Sequence, residues 1–386
     1  MKILHTSDWH IGKSLNEQSL LEDQAYALEK FLECVRKEAP DVVIVAGDIY
    51  DRSVPSKEAL SLVDRVFSEL ILDIKVPVLV IGGNHDGRER LAFSGGILGR
   101  QGLYIAGNYT ADPKPVTLSD NWGAVDFWLV PFIKPVEYKN LVKDGEIFDY
   151  EGMYAHILQE IKGKMTPGRR NVLITHGLIL GGAVDLETID DSVRPIEIGG
   201  IDFARAELFS DFDYVALGHL HRPQKVGQEK IRYSGSLLKY SFSEWMQKKS
   251  LTLVNLDREG SVDIIQKPIE TLRDLRVIRG SLAELTAAEA YDDPGREDYL
   301  KVILADEVRL VNPMEKLRRV YPRVLEMGYE KQASSGAAVR RRAVKERIQD
   351  PAALFADFYS FIHEAPLPEA EGALLGELLK EIQEED

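Results

Sequence analysis

Val42-Val43-Ile44-Val45-Ala46-Gly47-Asp48-Ile49-Tyr50-Asp51 joins an unbroken apolar run to a glycine and two nearby carboxylates. The run is short and rich in β-branched residues, which reads as a buried strand. Gly47 permits a tight turn, so Asp48 is delivered at the strand's end. The arrangement recurs through the first 221 residues. Asp8-Trp9-His10 follows the run Lys2–Thr6, and Gly83-Asn84-His85-Asp86 follows Pro77–Ile81. Thr175-His176-Gly177 closes Asn171–Thr175, and Gly218-His219-Leu220-His221 follows Tyr214–Leu217. Of the 8 His in the chain, five sit in these motifs. A sheet delivers side chains to a shared edge in this way. The pattern predicts a two-metal hydrolytic centre.

Outward from these runs, the period of the apolar residues places the other elements. Ser19-Leu20-Leu21-Glu22 reads as a capping box opening a helix to Glu38, which Pro40 stops. Helical patterns also cover Lys57–Leu72, Arg88–Leu98 and Tyr150–Lys162. Further strands are expected at Phe127–Val130, Ser250–Leu256 and Val262–Gln266. Early βαβ alternation giving way to strand-rich sequence predicts an α/β sandwich of two mixed β-sheets flanked by helices. A boundary falls near Pro268–Asp274. Beyond it, a strand is expected near Tyr299–Ala305 and a helix over Met314–Gly328. Lys331–Val339 reads as a linker, and Asp350-Pro351 starts another helix.

The chain has 386 residues, enough for more than one domain. No apolar stretch reaches the length of a signal peptide or membrane span, so no membrane partner is expected. A single cysteine, Cys34, excludes an internal disulfide and fits a reducing cytoplasm. The net charge of −15 argues weakly against nucleic acid, because phosphate binding depends on local fields. Between Met314 and Arg347, ten Lys/Arg face four acids, a local charge of +6.

The motifs carry specific chemistry. Asp8 and His10 are two apart, as are His219 and His221, so each pair points one way from extended chain. Asp48 can lie between two cations, Asn84 offers a neutral carbonyl oxygen, and His176, His219 and His221 add nitrogens. Mixed O/N ligation without Cys suits Mn²⁺, with Mg²⁺, Fe or Zn²⁺ as alternatives. Two divalent ions against Asp8 and Asp48 leave a net +2, which favours a phosphate. Ions roughly 3.5–4 Å apart can clamp its oxygens during an in-line displacement. His85 is expected to face substrate as a catalytic acid, with Asp86 orienting it. Asp51 reads equally as support for a ligand or as a loop cap.

Taken in order, the five motifs resemble the calcineurin-like metallophosphoesterase superfamily (D-x-H, G-D-x-x-D, G-N-H-D, H, G-H-x-H). Within it, Asp8-Trp9-His10-Ile11-Gly12-Lys13, the stretch from Gly47 to Ser56, and Tyr233-Ser234-Gly235-Ser236 resemble the SbcD-type nucleases. These are counterparts of the nuclease that pairs with a Rad50-type ATPase. The resemblance implies a nuclease domain over 1–268, a small α+β capping domain over 269–340, and a helical C-terminal region over 341–386. It assigns one metal to Asp8, His10, Asp48 and His221, and the other to Asp48, Asn84, His176 and His219. It makes His85 the phosphate-facing histidine.

The same resemblance implies a Mn²⁺-dependent double-strand exonuclease and single-strand or hairpin endonuclease, working in DNA repair, recombination and replication. It implies a homodimer within a heterotetramer, built from Lys57–Leu72 and Arg88–Leu98. Arg52, Lys57, Arg88 and Arg90 flank the motifs and are candidate DNA-phosphate contacts. The aromatic face of Leu354, Phe355, Phe358, Tyr359, Phe361 and Ile362 would dock on the SbcC/Rad50-type ATPase. So would the stripe of Leu374, Leu375, Leu378, Leu379 and Ile382. No Walker A motif is present in the chain, so ATP would be used by that partner. The rival readings are a stand-alone metallophosphatase or cyclic phosphodiesterase, and a non-catalytic DNA-end scaffold.

Overall fold

The apolar runs form the strands of two six-stranded sheets. The computed structural model describes residues 1–143, 147, 149–181 and 203–330, with positions 359, 368, 371 and 372. The chain divides into two compact units, Met1–Arg276 and Val277–Asp386. The linker, the helix at Asp350 and both C-terminal apolar faces expected from the sequence lie outside the described residues, apart from Tyr359.

In chain order, the first unit's main strands are Lys2–Thr6 (β1), Val42–Ala46 (β2), Val78–Ile81 (β3), Leu103–Ala106 (β4), Val116–Asp120 (β5) and Gly123–Val130 (β6). They continue with Arg170–His176 (β7), Tyr214–Gly218 (β8), Gln224–Val226 (β9), Gln228–Tyr233 (β10), Ser250–Leu256 (β11) and Val262–Pro268 (β12). One sheet has the order β12-β11-β1-β2-β3-β4, the other β9-β10-β8-β7-β6-β5. Strands β1 to β4 are parallel, as are β10, β8, β7 and β6. Antiparallel strands complete both sheets, so each is mixed as expected.

Alternation along the strands decides what meets what. Ile3, Ile44, Ala46, Leu79 and Ile81 pack against Phe127, Val172, Ile174, Tyr214 and Ala216 as one core between the sheets. On the far side of the second sheet, the helix Tyr150–Lys164 buries Met153, Tyr154, Ile157, Leu158 and Ile161 with Leu173 and Val215. The helix Leu21–Glu38 (α1) buries Ala27, Leu28, Phe31, Leu32 and Val35 at helical spacing. The helix Lys57–Ser68 (α2) buries Ala59, Leu62, Val63, Val66 and Phe67. Trp9 is fully buried between Phe31 and Phe67, with ring centroids 5.5 and 5.9 Å away. That contact seats the Asp8–His10 loop on both helices.

Four expectations need correction. The capping box at Ser19 does not form: α1 starts one residue later, after Leu20, without a side-chain cap. Ser19 is instead held in a two-residue antiparallel pair with Ser14. The helix from Lys57 changes at Ser68 into a π-helical turn, Glu69–Ile74, ended by Lys75 in left-handed backbone. Arg88–Leu98 is two short helical turns, Arg88–Leu91 and Gly95–Leu98, interrupted at Ser94 with φ 61°. In the second unit the helix stops at Val320, and Val324–Tyr329 is a strand parallel to Tyr299–Leu304. Pro322 explains this, because it cannot donate to a helix and restricts Tyr321 before it. With Leu275–Gly280 these strands form a three-stranded sheet, and Leu300, Val302, Leu304, Leu317 and Val320 form its core.

Ile44→Ala opens a cavity between the two large sheets. It is expected to cost about 2–5 kcal/mol in denaturant unfolding of the chain. A cost below about 1 kcal/mol would contradict the position of Ile44 in that core.

Candidate metal centre

All five motifs arrive at one edge because the strands before them are parallel within each sheet. Asp8, His10, Asp48 and His219 leave their strands with φ of 52°, 44°, 50° and 114°. Such backbone costs on the order of 1–3 kcal/mol per residue and persists only where its surroundings enforce it. The enforcement here is close packing. A Cβ on Gly83 would strike the Asp48 carboxylate and amide, and one on Gly218 would strike the Ala46 carbonyl oxygen. Hydrogen bonds complete the frame. The Asp8 amide donates to Gly47 O (3.0 Å) and the His10 amide to Asp48 O (2.9 Å).

Seven candidate ligands are brought together. His10 Nε2 lies 3.1 Å from His221 Nε2 and 3.6 Å from Asp48 Oδ2. His176 Nε2 lies 3.5 Å from the same Asp48 oxygen. Asn84 Oδ1 accepts from His176 Nε2 (3.0 Å) and His219 Nδ1 (3.1 Å). Asp8 clusters with His10 and His221 on one side, and with Asp48 and His176 on the other. All are buried except Asn84, which is exposed while its Oδ1 meets the cluster. Two carboxylates, an amide oxygen and four imidazoles therefore converge without a thiolate, a donor set that fits hard-to-intermediate divalent ions. The Nδ1 of His10 is buried and has no hydrogen-bond partner among the described residues.

The electrostatics point the same way. Burial pushes the pKa of His10 well down and that of His219 to about 3, so both present neutral nitrogens. Burial would raise the Asp48 carboxyl too, but His176 and His10 outweigh it and hold it well below its usual range. His176 is the reciprocal case. Burial lowers its pKa, yet the Asp48 and Asp8 carboxylates lift it to about 9. A proton on His176 thus stands where the carboxylates favour a cation.

Asp86, expected to orient His85, does something else. Its buried carboxylate accepts from the amides of Gly83 (2.9 Å), Tyr50 (2.9 Å) and Ile49 (3.2 Å), tying two motif loops together. His85 is oriented by Asp51, whose carbonyl accepts from its Nδ1–H (2.9 Å). The His85 amide donates to Asp48 Oδ1 (2.9 Å), and its ring meets His10 edge-on at 4.7 Å. The Asp51 carboxylate accepts from Lys13 Nζ (2.8 Å). Among the cations expected to meet DNA, Arg52, Lys57 and Arg90 are exposed. Arg88 is paired with both oxygens of Glu137 at 2.7 and 3.0 Å.

Several supporting residues carry no motif signal. Gln24 on α1 donates to His10 O (2.7 Å), and Ser7 Oγ donates to Asp8 Oδ2 (2.5 Å). Tyr240 donates to the Trp9 carbonyl and stacks edge-on against His10 and His221. Glu244 accepts from His221 Nδ1–H (3.0 Å). Ser7 adjoins Asp8, but Gln24, Tyr240 and Glu244 lie 14, 231 and 23 positions from their partners, so spacing could not reveal them.

Two family models match the chain. One, the calcineurin-like phosphoesterase, covers residues 1–223, more than half of the sequence. The other, named SbcD_C and described as the type 5 capsule protein repressor C-terminal domain, covers 271–362. A dimetal phosphatase of known structure from Danio rerio is similar over 70% of this chain and 97% of its own. Its identity is 13% and its TM-score 0.40.

Because His176 is protonated near neutrality, it must lose a proton to lend Nε2 to an ion. The affinity of the metal-free protein for Mn²⁺ is therefore expected to rise with pH up to about 9 and then level off. Calorimetry at about pH 7, in buffers of different ionisation enthalpy, should read about one proton released per protein. Proton uptake, or affinity independent of pH, would contradict this.

Proposed function

The chain belongs to the calcineurin-like phosphoesterase family, and its two matched modules together fit an SbcD-type nuclease; from that premise we propose that it is the nuclease subunit of an SbcC/Rad50-type complex. As a member of that family it is a metal-dependent phosphoesterase. The observation that carries the finer reading is the meeting, in one chain, of a donor set for two divalent ions with the SbcD C-terminal module. Mn²⁺ is the ion we favour. Asp8, His10, Asp48 and His221 would hold one ion, and Asp48, Asn84, His176 and His219 the other. Divalent ions bound there would supply Lewis-acid polarisation of a phosphoryl group.

The chain's own residues would do the rest. His85, with Nδ1–H committed to Asp51, keeps Nε2 to hand a proton to the leaving oxygen. Arg52, Lys57 and Arg90 are exposed and suited to DNA phosphates, whereas the Glu137 pairing takes Arg88 out of that role. The described half of the basic stretch is partly neutralised within its own unit. Arg319 pairs with Glu315, and Arg323 with Glu297.

A homodimer is also part of this reading. Leu62, Val63, Val66, Phe67 and Leu70 are core residues, but Leu60, Leu72, Phe93 and Ile97 are 38, 62, 78 and 70% exposed. A groove of about 580 Å³ runs between the segments that carry them. An exposed apolar face of this kind supports self-association. No helix among the described residues is long and apolar enough to cross a membrane.

The test is cleavage of an end-labelled linear duplex with Mn²⁺, with and without chelator, beside a simple phosphomonoester. Duplex degradation should be chelator-sensitive. His85→Ala should lower it by about 10²–10⁴-fold while metal content stays unchanged. Turnover of the monoester alone would replace the nuclease reading by a phosphatase. A second prediction concerns the partner: deleting residues 350–386 should abolish ATPase binding and spare cleavage of small phosphodiesters. Co-purification of the truncated chain with the ATPase would refute that role for the C-terminal region.

A further inference from the structure

Behind His221 lies a buried ion pair that the chemistry above leaves unused. Glu244 closes the short turn Phe242–Glu244, and Lys249 immediately precedes β11. Their side chains are 0 and 3% exposed. Glu244 Oε1 accepts from His221 Nδ1–H (3.0 Å), and its Oε2 accepts from Lys249 Nζ (2.6 Å). Lys249 Nζ also donates to the His221 carbonyl (2.8 Å), Ser236 Oγ (2.9 Å) and Gln247 Oε1 (2.7 Å). The contacts close a ring. One ammonium grips both the carboxylate that orients the imidazole and the main chain that carries it.

A buried pair of this kind gains little stability over an apolar pair of the same volume. Its placement is better explained by the histidine it orients. The other candidate imidazoles are supported differently. His176 Nδ1–H donates to the neutral Ala46 carbonyl (2.8 Å), and His219 Nδ1 meets the Asn84 amide. An Asp51 carboxylate oxygen lies 3.8 Å from His10 Nδ1, beyond hydrogen-bond range. A carboxylate behind a ligating imidazole fixes its ring and raises its basicity, while a neutral carbonyl fixes the ring without adding charge.

We propose that Glu244, locked by Lys249, is a positioning residue for His221 and makes the two metal subsites unequal. The ion at Asp8, His10 and His221 is held tightly, and the ion at Asn84, His176 and His219 exchanges. The inference rests on the metal-centre reading above.

Calorimetry of the full chain with Mn²⁺ tests it. The wild type should show two classes of site, and Glu244→Gln should weaken the tighter one by about 10–100-fold. The weaker class should stay within about threefold. Added to His221→Ala, the substitution should cost nothing further; added to Asn84→Ala, it should keep its full effect. Electron paramagnetic resonance at two equivalents of Mn²⁺ should change from a spin-coupled pair to an isolated ion. If Glu244→Gln fails to fold, the neutral pair Glu244→Gln with Lys249→Met leaves no unpaired buried charge and should show the same selective loss. Two ions bound with no loss, or with equal loss at both sites, would overturn the proposal alone. A wild-type chain that takes up no Mn²⁺ would overturn the metal-centre reading and this proposal together.

Discussion

Asp48 is the constraint around which the first unit is arranged. Its carboxylate lies 3.6 Å from His10 and 3.5 Å from His176, which come from different sheets, and it accepts the His85 amide. To reach that point it leaves β2 in left-handed backbone, and Gly83 must lack a side chain to make room for it. A buried carboxylate among imidazoles is unfavourable unless a cation or protons balance it. The elevated pKa of His176 and the depressed one of Asp48 express the same pull from two sides. The sandwich supplies what this requires: parallel strands ending at one edge, glycines where chains cross, and a buried apolar core between the sheets.

Much of this was legible in the sequence because it is local. Apolar runs such as Val42–Ala46 and Tyr214–Leu217 are strands within a residue, and the motifs after them supply the converging side chains. Strands at or next to a sheet edge were harder to read. Val116–Asp120 and Gln228–Tyr233 carry too many polar residues to show as apolar runs. The helix over Met314–Gly328 was overextended because helical spacing of Leu317 and Val320 outweighed the signal of Pro322. Asp86 follows His85 in the chain, yet its carboxylate serves three backbone amides of two loops. Adjacency in sequence does not set the direction of a side chain.

The residues that orient the ligands were not legible at all. Gln24 reaches His10 from α1, and Glu244 reaches His221 across 23 positions. Such pairs depend on how loops return to the sheet edge, which no local pattern encodes. The acidic composition was similarly uninformative about the surface. Charge acts through placement: Arg52, Lys57 and Arg90 are exposed on the segments that follow the second and third motifs, whereas Arg88 nearby is spent on Glu137.

The central claim is that one edge of this sandwich holds two divalent ions that share Asp48. Anomalous scattering from crystals of the Mn²⁺-loaded chain measures this directly. The account predicts two peaks, one against Asp8, His10 and His221, the other against Asn84, His176 and His219, both in contact with Asp48. A single peak, or a pair of peaks away from Asp48, would contradict it.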